Sequence, residues 1–178
     1  MTEPSAREQP TLAATVNAVA HSIEKVLSPG DVAALRRLRS DDASSAAFWR
    51  VVVTHLEPAL PNGGPAREEA ERRWAVILQA MAEMENCHAQ GARLGRALAA
   101  AGIAEPRVLK LLRASGEALF DAVRVTAHYL ASTATMSAHV EIARLILSDG
   151  HDDGERVRRQ IARDFYAQQE RNEKEASK

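Results

Sequence analysis

The chain has 178 residues, 46% of them apolar and only 4% aromatic, with a formal net charge of -1. That length can bury one core without metal or disulfide support, and the near-zero net charge excludes a global attraction to membrane or nucleic acid, so any anion binding must be local. The single cysteine, Cys87, forms no internal disulfide, no apolar run nears the roughly 20 residues that cross a bilayer, and the start MTEPSAREQP lacks the apolar run of a secretory signal, which together predict a cytoplasmic protein.

Alanine supplies much of the apolar content, and Gly and Pro gather between periodic segments. The fold class expected is all-α, a compact helical bundle of about eight or nine helices that is either one unit or two helical subdomains. Residues 1–10 read as a disordered N-terminus. Thr11 then caps a helix carrying Leu12, Val16, Val19, Ile23 and Val26 or Leu27, which Ser28-Pro29-Gly30 ends. Asp31 is placed to cap a second short helix with Leu35 and Leu38, and a third, after a polar break at Ser40 to Ser45, carries Phe48, Val52 and Leu56 on one face.

The stretch Pro58 to Pro65 holds Pro61 and Gly63-Gly64, so it reads as the clearest loop of the first half and a candidate hinge, with 88–104 as the other. A long helix is predicted from about Arg67 through Trp74, Ile77, Leu78, Met81 and Met84, then an alanine-rich helix stopped by Gly102. Glu105-Pro106 restarts the chain, because Pro suits the first helical position and an acid favours a helix N-terminus. Helices around Glu117 to Ser132 and His139 to Leu147 follow. Gly150 to Gly154 is the last break, and a final helix runs from about Glu155 towards Glu170, leaving 171–178 as a frayed tail to the domain at 11–170.

Charge concentrates in two places. Between Gly91 and Gly116 lie Arg93, Arg96, Arg107, Lys110 and Arg113 against the lone carboxylate Glu105. The same stretch, Leu94 to Ser115, reads as helix, short turn, helix with alanines where two helices would cross, the look of a DNA-binding helix-turn-helix and equally of an ordinary helix pair. In the final helix, at about 100° per residue, Val157, Ile161 and Phe165 share one face while Arg156, Arg159 and Arg163 fall within about 60° of one another on the opposite side, with Tyr166 beside them. Such a ridge can fork hydrogen bonds onto successive phosphates, or simply be a solvated face, since Asp152, Asp153 and Glu155 are close in sequence. Arg36, Arg37 and Arg39 do not share a face, so at most two of them serve one surface.

Catalytic machinery is not visible. Cys87 and His88 are adjacent and so point about 100° apart on a helix, with no basic group nearby in sequence to support a thiolate. Glu85-x-x-His88 has the spacing of half a di-iron site but no second such pair exists, and there is no HExxH, GxSxG or phosphate-cradling glycine loop. No cofactor, metal site or catalytic residue is therefore expected. Trp49 and Trp74 sit at helical positions beside other apolar residues and read as core.

Four blocks of the chain resemble CasB, the small subunit of the type I-E CRISPR surveillance complex Cascade. They are Gly30-Asp31 with Ala34-Leu35-Arg36-Arg37-Leu38; Phe48-Trp49-Arg50; Leu94-Gly95-Arg96-Ala97-Leu98-Ala99 through Gly102, Arg107 and Leu111-Leu112-Arg113; and Val157 through Arg163 to Tyr166. The resemblance implies an all-helical, non-enzymatic subunit of a multisubunit antiviral complex. It would be present as two copies, beside a Cas7-type backbone and the large subunit, with no membrane partner. It also implies contact with crRNA, target strand and displaced non-target strand, and so stabilisation of the R-loop. Carried onto this chain, the nucleic-acid-binding candidates are Arg36, Arg37, Arg107, Arg113, Arg156, Arg159 and Arg163, with Arg158 nearer the apolar side and the helix of Arg96 facing either core or partner. The competing reading is a helix-turn-helix transcriptional regulator whose Glu105 to Ser115 segment enters a major groove.

Overall fold

The computed structural model describes residues 10–40, 45–137 and 139–177. The expected disorder at 1–10 and the middle of the Ser40 to Ser45 break therefore lie outside the described residues, apart from their edges. Among the described residues there are nine α-helices and no strand beyond an isolated bridge between His88 and Ser137.

Helix α1, Leu12–Lys25, begins where Thr11 accepts a hydrogen bond from the Ala14 amide at 3.2 Å, and it buries Val16, Val19 and Ile23. Helix α2, Pro29–Arg36, departs from the sequence expectation. Its cap is Ser28, whose hydroxyl oxygen accepts from the Asp31 amide at 3.1 Å, so Pro29 occupies the first turn and Ser28-Pro29-Gly30 starts a helix instead of only ending one. Asp31, freed from capping, accepts from Arg50 at 2.6 Å and ties α2 to α3, Ala46–Val51. Beyond α3 the chain widens into a π-helical turn over Val52–Leu56 and a short 3-10 turn over Glu57–Ala59, so Leu56 stays buried although the α-helix has ended.

Helix α4, Gly64–Glu83, starts three residues earlier than expected and is the central strut, with Trp74, Ile77, Leu78 and Met81 all buried. It packs on α2, on α7, Gly116–Ser132, and on α8, His139–Leu147, while α1 closes over α8. Helix α5, Leu94–Ala100, ends at Gly102, whose φ of 72° is the left-handed geometry that glycine adopts without steric cost. Helix α6, Glu105–Arg113, lies between α7 and the last helix, α9.

Helix α9 spans Asp152–Ala176, so it begins before Gly154 and runs beyond Glu170 into the segment expected to fray. Gly154 is tolerated inside the helix because it is buried against the 148 turn, where a Cβ would stand 2.6 Å from the Ser148 carbonyl oxygen. One apolar cluster extends from Val16 to Phe165, and the candidate hinge segments at 58–65 and 88–104 join parts of that same core.

Candidate nucleic-acid interface

The basic island does not fold as a helix-turn-helix. Helices α5 and α6 are consecutive, but the most extensive interhelical contact in the molecule is α5 on α9, and α5 makes little contact with α6. The small residues that suggested a crossing of α5 and α6 serve α9 instead. A Cβ at Gly95 would lie 2.2 Å from the Ile161 carbonyl oxygen and 2.8 Å from the Phe165 amide nitrogen, so the two backbones approach as closely as glycine permits.

This contact is held electrostatically as well. Arg93 pairs with Glu141 of α8 at 3.0 Å and with Asp164 of α9 at 2.9 Å, and Glu141 also accepts from the Leu94 amide, supplying the cap that α5 lacks in its own sequence. Arg93, counted among the basic residues of the island, is thus a structural brace. So is Arg158, only 15% exposed, which donates to Asp149 at 2.7 Å and to the Ala114 carbonyl at 2.8 Å and pins α9 to the end of α6, on the apolar side where its helical position had put it.

The remaining charge faces outward. Arg156, Arg159 and Arg163 are exposed and line one shallow groove along α9 together with Asp152, Glu155 and Gln160. Arg159 is held by Glu155 at 2.9 Å, but both side chains are mostly exposed, and an i,i+4 surface pair of this kind contributes only about 0.3–0.5 kcal/mol, so a phosphate can displace it. Arg144 of α8 joins Arg156 in the two depressions between α8 and α9. Alone on a short, largely buried helix, it belongs to no cluster of arginines in the sequence. Its position in the narrow exposed arc of α8 was the available signal.

On α6, Val108 and Leu111 are buried while Arg107, Lys110 and Arg113 are exposed over about 120° of the helix, with Arg107 and Lys110 lining a pocket against Asp121 and Tyr129 of α7. Helix α6 also runs alongside α9. The Tyr166 hydroxyl donates to Glu105 at 2.7 Å at one end, and Arg158 reaches Ala114 at the other. The Glu105 carboxylate, by accepting that bond, holds the Tyr166 phenol above its ordinary pKa, and the positive charge of Arg113 acts on the same phenol in the opposite sense. Arg107, Lys110, Arg113, Arg144, Arg156 and Arg163 make no ion pair among the described residues.

The first pair of candidates stands apart. Arg36 donates to the Ala82 carbonyl at 2.9 Å and pairs with Glu85, closing the C-terminal end of α4, where carbonyls lack helical partners. Arg37 is exposed at the end of α2, in a groove of mixed charge with Arg72, Glu117, Asp121 and Arg124. The structure therefore gathers Arg156, Arg159 and Arg163 on α9, sets Arg113 of α6 near Tyr166 beside them, turns Arg107 towards α7, and leaves Arg36 and Arg37 at the α2–α4 junction.

The Cys87 thiol is buried, and desolvation and the charge of Glu24 push its pKa up. Beside it the His88 Nε2 donates to the Asn17 Oδ1 at 3.0 Å, and its ring lies tilted at 37° against that of His139 with centroids 4.6 Å apart. Among the described residues no group of three or more His, Cys, Asp or Glu side chains could hold a metal ion, and no helix is long and apolar enough to cross a membrane.

Residues 31–166 match the family model described as CRISPR-associated protein Cse2. The chain belongs to the Cse2 family. This is the CasB family to which the four sequence blocks pointed, and the match runs from the start of α2 to Tyr166 on α9. No curated protein sequence matches the chain. Among solved structures, a chain from the crystal structure of E. coli Cascade bound to a PAM-containing dsDNA target superposes with a TM-score of 0.66 at 25% identity, covering 87% of this Cse2 protein and 96% of that chain.

Proposed function

We propose that this Cse2 protein is a non-catalytic small subunit of a crRNA-guided type I-E Cascade complex in the cytoplasm, where it holds nucleic-acid backbone and stabilises the R-loop. Guide pairing supplies sequence recognition in such systems, so the subunit need only grip phosphates of crRNA, target strand and displaced strand. The observation that carries this reading is the outward face of α9, where Arg156, Arg159 and Arg163 line one groove, with Arg113 of α6 acting on the neighbouring Tyr166; Arg107 and Lys110, which line a pocket against α7, are further contacts in this scheme. Arg37 is a secondary contact in this scheme, and Arg36 contributes mainly by bracing α4. Family membership and the likeness to a Cascade chain support neighbours of the Cas7-type backbone, the large subunit and a second copy of this chain.

R-loop formation exchanges one duplex for another at nearly balanced free energy, so phosphate contacts of roughly 1 kcal/mol each are enough to tip it. The test is R-loop lifetime in a reconstituted complex with Arg156, Arg159 and Arg163 changed together to Ala. A lifetime shortened by tenfold or more, with normal assembly and a shallower salt dependence, is expected. An unchanged lifetime in an assembled complex refutes the reading, and tight binding to one palindromic duplex would favour the regulator instead.

A further inference from the structure

Of the seven aromatic residues in the chain, six are buried or half-buried and only Tyr166, at 40%, is largely exposed. It is not on an arbitrary part of the surface. On α9 it falls within about 60° of Arg159 and Arg163, three residues beyond Arg163, a spacing that makes the two side chains neighbours. From α6 the charge of Arg113 also reaches it.

The ring is anchored before any ligand arrives. Its hydroxyl donates to Glu105 at 2.7 Å, and its partner on the inner side is the buried Phe165, met edge to face with centroids 5.4 Å apart and planes at 76°. Fixing a side chain in advance removes much of the ordering cost that a bound ligand would otherwise meet. A fixed, exposed aromatic ring among guanidinium groups is the combination that single-stranded nucleic acid requires, since phosphates take the charge and an unpaired base takes the ring face. Bases in a duplex are already stacked on both sides and cannot use it.

We infer that Tyr166 is a base-stacking platform that makes the α9 ridge selective for single-stranded nucleic acid over duplex. The inference rests on the phosphate-holding role proposed for Arg159 and Arg163, and adds to it a contact that is indifferent to base sequence because every base has a π face.

The test uses the full chain and two labelled oligonucleotides of equal length, one of thymidines and one of abasic spacers with the same phosphates, followed by fluorescence anisotropy at low salt. The native chain should bind the thymidine strand about 5- to 150-fold more tightly, as expected for one stacked base. Tyr166→Leu should bind both strands equally, at the native affinity for the abasic strand. Tyr166→Phe should keep most of the preference, because it retains the ring and loses only the bond to Glu105. Equal binding of both strands by the native chain, or a preference that survives Tyr166→Leu, overturns the stacking role while leaving the phosphate role intact. Failure to bind either strand overturns both.

Discussion

Replacing Gly95 by Ala is a sharp test of how α5 and α9 are joined. Helix propensity alone predicts that the change stabilises, by up to about 1 kcal/mol. The packing predicts the reverse. The new Cβ would lie 2.2 Å from the Ile161 carbonyl oxygen and 2.8 Å from both the Phe165 amide nitrogen and the Asp164 Cβ. An ordinary carbon–oxygen contact begins near 3.3 Å, so the helices must part locally by about 1 Å, and no side-chain rotation relieves a clash with backbone. A gap of that size forfeits a quarter to a half of the dispersion energy across it, and overpacking of this kind costs about 3 kcal/mol at the upper end of its usual range. After the propensity gain, about 2 kcal/mol of destabilisation remains, which for a chain of this size lowers Tm by about 4–8 °C. Gly30→Ala is the matched control. It too is helical, but its Cβ would meet only the Ser28 hydroxyl oxygen at 3.7 Å, an ordinary contact, so the same substitution should raise Tm by about 1–4 °C. Thermal unfolding of both variants followed by circular dichroism decides the matter. A Tm for Gly95→Ala equal to or above that of the native chain would refute the close approach of α5 and α9.

Other outcomes follow from the same packing. Arg93→Ala strands Glu141 and Asp164, which are about nine-tenths buried, and should cost about 3 kcal/mol in urea unfolding; a loss below about 1 kcal/mol would show that the brace is dispensable. Burial, assisted by the neighbouring His88, lowers the pKa of His139 from 6.5 to about 3. Because folding depresses this value, the neutral ring's stabilisation is complete above about pH 6.5 and declines as pH falls towards 3, by about 1.4 kcal/mol per unit. His139→Gln should therefore flatten the fall in Tm between pH 6.5 and about 4.5, and an unaltered slope contradicts the assignment. Cys87, buried with its pKa raised, should react with iodoacetamide only as fast as the protein opens; prompt labelling of the folded chain would place the thiol at the surface.

Local chemistry was legible where a residue acts on its immediate neighbours along the chain. Thr11 capping α1, Gly102 ending α5, Glu105-Pro106 opening α6 and the division of α9 into apolar and arginine faces all depend on residues within one or two turns, and all were readable in order. The cap of α2 was misplaced by three residues because Ser28 and Asp31 are both good N-caps; Ser28 takes the role with Pro29 in the first turn, and the Asp31 carboxylate accepts instead from Arg50 of another helix. Arginine shows the limit most clearly. Arg36, Arg93 and Arg158 have the same intrinsic chemistry as Arg107, Arg113, Arg156 and Arg163, yet among the described residues the first three reach carboxylates and carbonyls on distant segments and the others reach none. Which guanidinium braces the fold and which faces solvent is set by what the tertiary structure brings within about 3 Å, over separations such as the 71 residues between Arg93 and Asp164. The same holds for the alanine-rich α5, whose small residues announce a close helix contact without naming the partner. The choice of α9 over the adjacent α6 follows from backbone approach at Gly95 and charge pairing at Asp164, neither of which is a property of the local sequence.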